Sequence, residues 1–153
     1  MVEEFALRTL PFFQKFTPEE IKTFASYLDK REYKPNDEII REGSYGDELY
    51  IINKGEAEVS LRRTQGKQVI TILKRGDIIG ERALVESAQR TATVRAIAPT
   101  EIFVLKRDKL KKLIDTSPKT AIKFYEALLR VLLRKLHLTN VKAYLSWMPA
   151  KEG

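Results

Sequence analysis

Residues 32–106 consist of short apolar segments that are repeatedly cut by turn signals. The segments are Glu38–Arg41, Leu49–Asn53, Ala57–Leu61, Val69–Leu73, Ile78–Ile79, Thr93–Ile97 and Ile102–Leu105. Pro35-Asn36-Asp37, Gly43, Gly46, Gly55, Gly66 and Gly76 punctuate them. Pieces this brief, recurring at roughly 8–12 residues, read as strands of a layered or closed β body rather than as helices. The expected fold class is mainly β with flanking helices, a double-stranded β-helix (jelly roll).

The flanks have helical spacing. Leu10-Pro11-Phe12-Phe13 leads into Thr17-Pro18-Glu19-Glu20, with threonine at the N-cap, proline at N1 and glutamate at N3. Ile21, Phe24, Ala25 and Leu28 follow on one face. Downstream, Asp108–Ile114 reads as a short helix. Ser117-Pro118 opens a long one, with Ser117 as N-cap, and Pro149 is its outer limit. One domain is expected over 1–153, with N-terminal helices in 5–31, the β-roll in 32–106 and C-terminal helices in 108–148.

The long helix carries more apolar residues than one face needs. Ala121, Tyr125, Leu128, Leu132 and Leu136 form one stripe, broadened by Phe124, Val131, Leu138 and Leu145. Leu129 and Leu133 lie towards another side. One stripe is expected to pack on the roll and the other on a twin helix, which gives a homodimer through residues 118–148.

Composition narrows the chemistry. There is no cysteine, which excludes disulfides, iron–sulfur clusters and thiolate zinc sites. The single histidine, His137, excludes a multi-histidine metal centre, and with it a β-roll metalloenzyme. No cofactor, no metal and no enzymatic activity are expected. No apolar run approaches the roughly 20 residues of a membrane span, and Met1-Val2-Glu3-Glu4 is acidic, so a cytoplasmic protein without membrane contact is expected. Residues 1–103 carry a net charge of −1 and residues 104–153 one of +8. That basic tail reads as a solvated helix face or as a dock for an acidic partner or nucleic acid, the last without aromatic interleaving to support it.

The stretch from Ile79 to Val94 places a glycine, a carboxylate, small residues and an arginine between two strands. Glycine lets backbone approach a ligand closely. Consecutive backbone N–H groups form an anion nest. An arginine fork matches phosphate oxygens in pairs. A carboxylate accepts hydrogen bonds from a ribose hydroxyl. Together they suit a cyclic sugar-phosphate.

These pieces, in this order, resemble the cyclic-nucleotide-binding domain family, and within it the sensor domain of the cAMP receptor protein group. The resemblance covers about residues 5–148. It rests on Leu10-Pro11-Phe12-Phe13, Thr17-Pro18-Glu19-Glu20, Glu42-Gly43, Gly46-Asp47-Glu48-Leu49-Tyr50-Ile51-Ile52, Lys54-Gly55, Gly76-Asp77, Gly80-Glu81 and Arg90-Thr91-Ala92. The resemblance implies that Glu81 holds the ribose 2′-hydroxyl and Arg90 the cyclic phosphate. It implies further that backbone N–H groups around Arg82, Ala83, Leu84, Thr91 and Ala92 complete the cradle, and that Gly80 permits the tight approach. Val59, Ile70 and Thr71 match strand positions that face the nucleotide. Without ligand, Glu81 and Arg90 are expected to pair with each other.

The base stays open between two readings. Arg82 replaces the family's usual aliphatic residue and, with Thr91, resembles cGMP-dependent kinase sites. The Thr91 hydroxyl meets either a guanine amino group or a phosphate oxygen. Thr139 lies at the position of the threonine that reads adenine in the cAMP receptor protein group, Asn140 at that of a serine from the other subunit, and Lys135 at that of an arginine near the base. The favoured ligand is therefore cAMP, with cGMP as the alternative. Only four residues follow Pro149, so a recognition helix is not expected and DNA is not an expected partner. The expected function is a stand-alone cyclic-nucleotide sensor that signals through its C-terminal helix to an unknown protein effector. The alternative is a structural or adaptor dimer with a silent pocket.

Overall fold

Two apolar runs, Leu49–Ile52 and Ile102–Leu105, dictate the layering, because alternate side chains of a strand point to opposite faces. In the computed structural model, which describes residues 2–149, both runs are central strands buried on both sides. Leu49, Ile51, Phe103 and Leu105 belong to a core under the helices. Tyr50, Ile52, Ile102 and Val104 belong to a core shared with the second sheet.

The strands are β1 (Asp29–Tyr33), β2 (Glu38–Ile40), β3 (Glu48–Lys54), β4 (Ala57–Arg62), β5 (Lys67–Leu73), β6 (Ile78–Ile79), β7 (Thr93–Ala96) and β8 (Thr100–Lys106). One sheet has the order β1-β8-β3-β6 and the other β2-β7-β4-β5. All pairings are antiparallel, with Tyr50 opposite both Ile79 and Val104. The expected β-roll between N- and C-terminal helices is the architecture observed.

Strand β1 begins three residues before the expected start of the roll, inside the stretch expected to be helical. Its sequence, Asp-Lys-Arg-Glu-Tyr, has no apolar alternation because it is an edge strand, paired only with β8 and largely exposed. Charged side chains on such an edge are a common protection against pairing with other chains.

Four α-helices flank the roll: α1 (Glu4–Arg8), α2 (Pro18–Ala25), α3 (Arg107–Thr116) and α4 (Pro118–Trp147). Thr17 caps α2 as expected, its hydroxyl accepting from the Glu20 N–H at 3.2 Å. Ser117 precedes α4, but its side chain makes no capping bond. Its backbone (φ −143°, ψ 66°) departs from the extended geometry (φ −70°, ψ 161°) in which Thr17 caps α2. Phe24 of α2 and Phe124 of α4 are fully buried and stack at 5.2 Å. Each such burial contributes about 1.5–3 kcal/mol. Lys123 adds an ion pair to Glu20 at 2.8 Å.

The two stripes of α4 divide differently from the expectation. Thr120, Ala121, Phe124, Ala127 and Leu128 are buried in the first half of the helix. From Leu132 onwards the large apolar residues are exposed, including Leu136, Leu138 and Leu145 of the broad stripe, so the helix divides along its length rather than by face. The helix runs unbroken for 30 residues and outreaches the body it packs on. Among the described residues, no helix is long and apolar enough to cross a membrane, and no group of three or more acidic, histidine or cysteine side chains is placed to hold a metal.

Candidate functional site

The site begins where β6 ends. Gly80 adopts a left-handed conformation (φ 83°) and turns the chain into a short 3-10 helix, Glu81–Leu84. A Cβ at Gly80 would lie 2.7 Å from the Glu48 carbonyl oxygen and 2.8 Å from Nη1 of Arg90. A Cβ at Gly46 would lie 2.7 Å from Nη2 of the same arginine. Two glycines from separate loops thus wall a slot for the Arg90 guanidinium.

Arg90 is fixed by neutral groups. Its Nη2 donates to the Glu48 carbonyl at 2.8 Å, and its guanidinium lies over the Tyr50 ring, 5.6 Å from the centroid. Its backbone is pinned to the β2–β3 loop, its N–H donating to Ser44 and its carbonyl accepting from Gly43, both at 2.7 Å. Among the described residues Arg90 forms no ion pair with a carboxylate.

The expected Glu81–Arg90 pairing is therefore not made. Lys135 reaches down from α4 and bonds Glu81, and its Nζ also donates to the Ile78 carbonyl at 2.7 Å. The slot holds Arg90 against Glu48 and Tyr50, while Glu81 is engaged from above.

Gly80, Glu81, Arg82, Ala83, Arg90, Thr91 and Ala92 line one hollow of about 240 Å³, with Val59 on its floor. The side chain of Arg82 turns outward and pairs with Glu86. Ala83 uses its N–H within the turn, donating to Gly80 at 3.1 Å. The N–H groups of Arg82, Thr91 and Ala92 have no acceptor among the described residues, so they remain available to an anion. Leu84 is buried in the helix-side core rather than lining the hollow. Ile70 and Thr71 lie exposed on edge strand β5, outside the lining.

Thr139 and Asn140 are also exposed and outside the lining. The Thr139 hydroxyl donates to the Lys135 carbonyl at 2.9 Å, one turn back. Because residues four apart share a helix face, Thr139 lies on the side of α4 that Lys135 directs at Glu81.

Sequence reasoning missed the support beneath Arg90. Glu48 accepts from both ends of the Arg31 fork, at 2.9 and 2.6 Å, and from the Tyr50 hydroxyl at 2.7 Å. The Arg31 fork holds the Glu48 carboxyl below its usual range, and the same bond raises Arg31. Burial, then the bond to Glu48, pushes the Tyr50 hydroxyl well above its ordinary value. Gly46 and Tyr50 were visible as part of a glycine-led strand entry. The partnership of Arg31 with Glu48 had no local signal. A further tie comes from Arg107 at the head of α3, whose guanidinium donates to the Ala83 and Glu86 carbonyls, at 2.8 Å from Nε and 2.9 Å from Nη2.

A glycine-walled arginine, a carboxylate and free N–H groups surround one hollow. The family model for the cyclic nucleotide-binding domain matches residues 30–117, which contain every part of it. This chain belongs to the cyclic nucleotide-binding domain family. The domain is 37% identical over 95 residues to a cAMP-dependent protein kinase regulatory subunit of Mycosarcoma maydis, covering 62% of this chain and 18% of that protein. It is 32% identical over 108 residues to a cGMP-dependent protein kinase of Eimeria tenella, covering 71% of this chain and 10% of that protein. A solved cyclic nucleotide-binding domain from Methylobacillus flagellatus superposes with a TM-score of 0.82 at 27% identity, covering 95% of this chain and 83% of that one. The chain therefore spans less than a fifth of the length of either kinase-related protein. The family match ends at Ser117, one residue before α4 begins.

Proposed function

We propose that this domain senses a cyclic nucleoside monophosphate, with cAMP the favoured ligand, and passes binding on through α4. The observation that carries this reading is Arg90, a guanidinium pre-set in a slot facing the hollow, with no carboxylate among the described residues to neutralise it. In this reading Arg90 and the N–H groups of Arg82, Thr91 and Ala92 take the cyclic phosphate. Glu81 takes the ribose 2′-hydroxyl, exchanging its bond to Lys135 for one to the sugar. Ligand pockets typically enclose about 300–1,000 Å³. The hollow is slightly smaller, at about 240 Å³, which suits the sugar-phosphate and leaves the base at the mouth. In this reading Lys135, Thr139 and Asn140 of α4 and Ile70 and Thr71 of β5 would meet the base there.

The position of Thr139, one turn above the helix residue that touches Glu81, supports adenine as the base. A cGMP reading draws support from the cGMP-dependent kinase relative and from Thr91 at the lining. Arg82 adds nothing to it, because its side chain is engaged by Glu86. The signal would leave through α4, since Lys135 and Arg107 both tie the helices to the cassette. A ligand that displaces Lys135 shifts the balance between docked and released helix by its differential affinity for the two states.

The exposed apolar run Leu129, Leu132, Leu133, Leu136, Val141 and Leu145 supports a homodimer through this helix, and a protein effector is the recipient of the signal. A thermal-shift panel of cAMP, cGMP and cyclic dinucleotides tests the reading, because a ligand that binds only the folded state raises Tm. The largest rise is expected with cAMP. A silent response to every nucleotide would leave the domain a structural adaptor.

A further inference from the structure

Glu48 is bonded to Arg90 through its backbone carbonyl and not through its carboxylate. The carboxylate is occupied elsewhere. Arg31 grips both oxygens, at 2.9 and 2.6 Å, and the Tyr50 hydroxyl donates to Oε2 at 2.7 Å. Tyr50 therefore separates two charges, its hydroxyl on Glu48 and its ring face under Arg90. The Glu48 side chain is only 17% exposed, so its charge is weakly screened and seeks a cation. The same residue already touches Arg90 through its main chain. If it were unheld, its carboxylate would be an intramolecular competitor for the very guanidinium that must meet a phosphate.

We propose that Arg31 is a positioning residue for anion capture: by holding the Glu48 carboxylate, it keeps Arg90 free of an internal counter-ion. The proposal rests on reading Arg90 as the phosphate-binding group. It gives the Arg31–Glu48 pair, on β1 and β3, a role beyond joining two strands of one sheet. Lys106 stands opposite Glu48 in the β3–β8 register and is the other cation that a released carboxylate can reach.

A two-background comparison in the full chain tests it. Arg31→Met is expected to weaken cAMP binding about tenfold in the native background, but less than about twofold in a Glu48→Gln background, where no competing charge exists. Equal losses in both backgrounds would overturn the proposal, because a merely structural Arg31 acts whether or not residue 48 is charged. The Nε–H resonance of Arg90 in the ligand-free protein gives a second readout. Arg31→Met should shift it as the carboxylate arrives, and Glu48→Gln should abolish that shift. An unmoved Arg90 resonance, with the carboxylate on Lys106 instead, would also overturn the proposal. If the native chain binds no cyclic nucleotide, the functional reading fails, while the ligand-free resonance still decides this one. Should Arg31→Met not fold, Arg31→Gln removes the charge while keeping a hydrogen-bond donor and is read in the same way.

Discussion

The cassette of residues 80–92 and the outer half of α4 meet at the Glu81–Lys135 bond but are held in opposite ways. The cassette is bound on all sides: Gly80 against Glu48, Arg90 against Tyr50 and Ser44, Leu84 in the core, and Arg107 on the Ala83 carbonyl. The outer half of α4 touches the body through Lys135, while Leu136, Leu138 and Leu145 face solvent. A ligand cradle gains from being pre-set, because ordering it on binding lowers affinity. A reporter gains from the reverse, because elements that move come from the low-stability end of a fold. The inner half of α4, anchored by Phe124, joins the two.

The largest effect that sharpens this contrast is on stability. Phe124→Ala is expected to cost about 3–5 kcal/mol in chemical denaturation, since it empties a fully buried site shared with Phe24. Gly80→Ala comes next. The new Cβ meets both Glu48 and Arg90 and the residue keeps a positive φ, so about 1–3 kcal/mol of stability is lost together with nucleotide affinity. A stable Gly80→Ala chain with native affinity would break the picture of a glycine-walled slot.

Acid titration is a gentler probe. Arg31 depresses the Glu48 carboxyl in the folded state. The unfolded chain therefore binds a proton first as pH falls, and the stability from this pair is present above about pH 4.3 and lost as pH drops through the depressed folded value. Denaturation midpoints measured from pH 6 downwards should fall less steeply below that point in Arg31→Met. The smallest effect belongs to the free end. Leu136→Ala should change the monomer's unfolding by no more than about 0.5 kcal/mol, while lowering any dimer seen by sedimentation.

Much of this contrast was legible in sequence where its cause is local. Gly80-Glu81 and Arg90-Thr91-Ala92 announce themselves by residue type, and the central strands by their apolar runs. Strand β1 was hidden because an edge strand needs no apolar alternation. The partner of Glu81 was misread because Lys135 lies 54 residues away in the chain. Arg31 and Glu48 lie on strands separated by β8, so no spacing links them. The division of α4 was read by face, whereas the roll simply ends before the helix does.

The account turns on Arg90 as a guanidinium kept free for phosphate, and calorimetric titration of cAMP into the native chain and Arg90→Ala tests that most directly. Losing a two-pronged, charge-assisted contact should weaken binding about a hundredfold. An Arg90→Ala chain that binds cAMP within about twofold of the native one, against that expectation, would contradict the account.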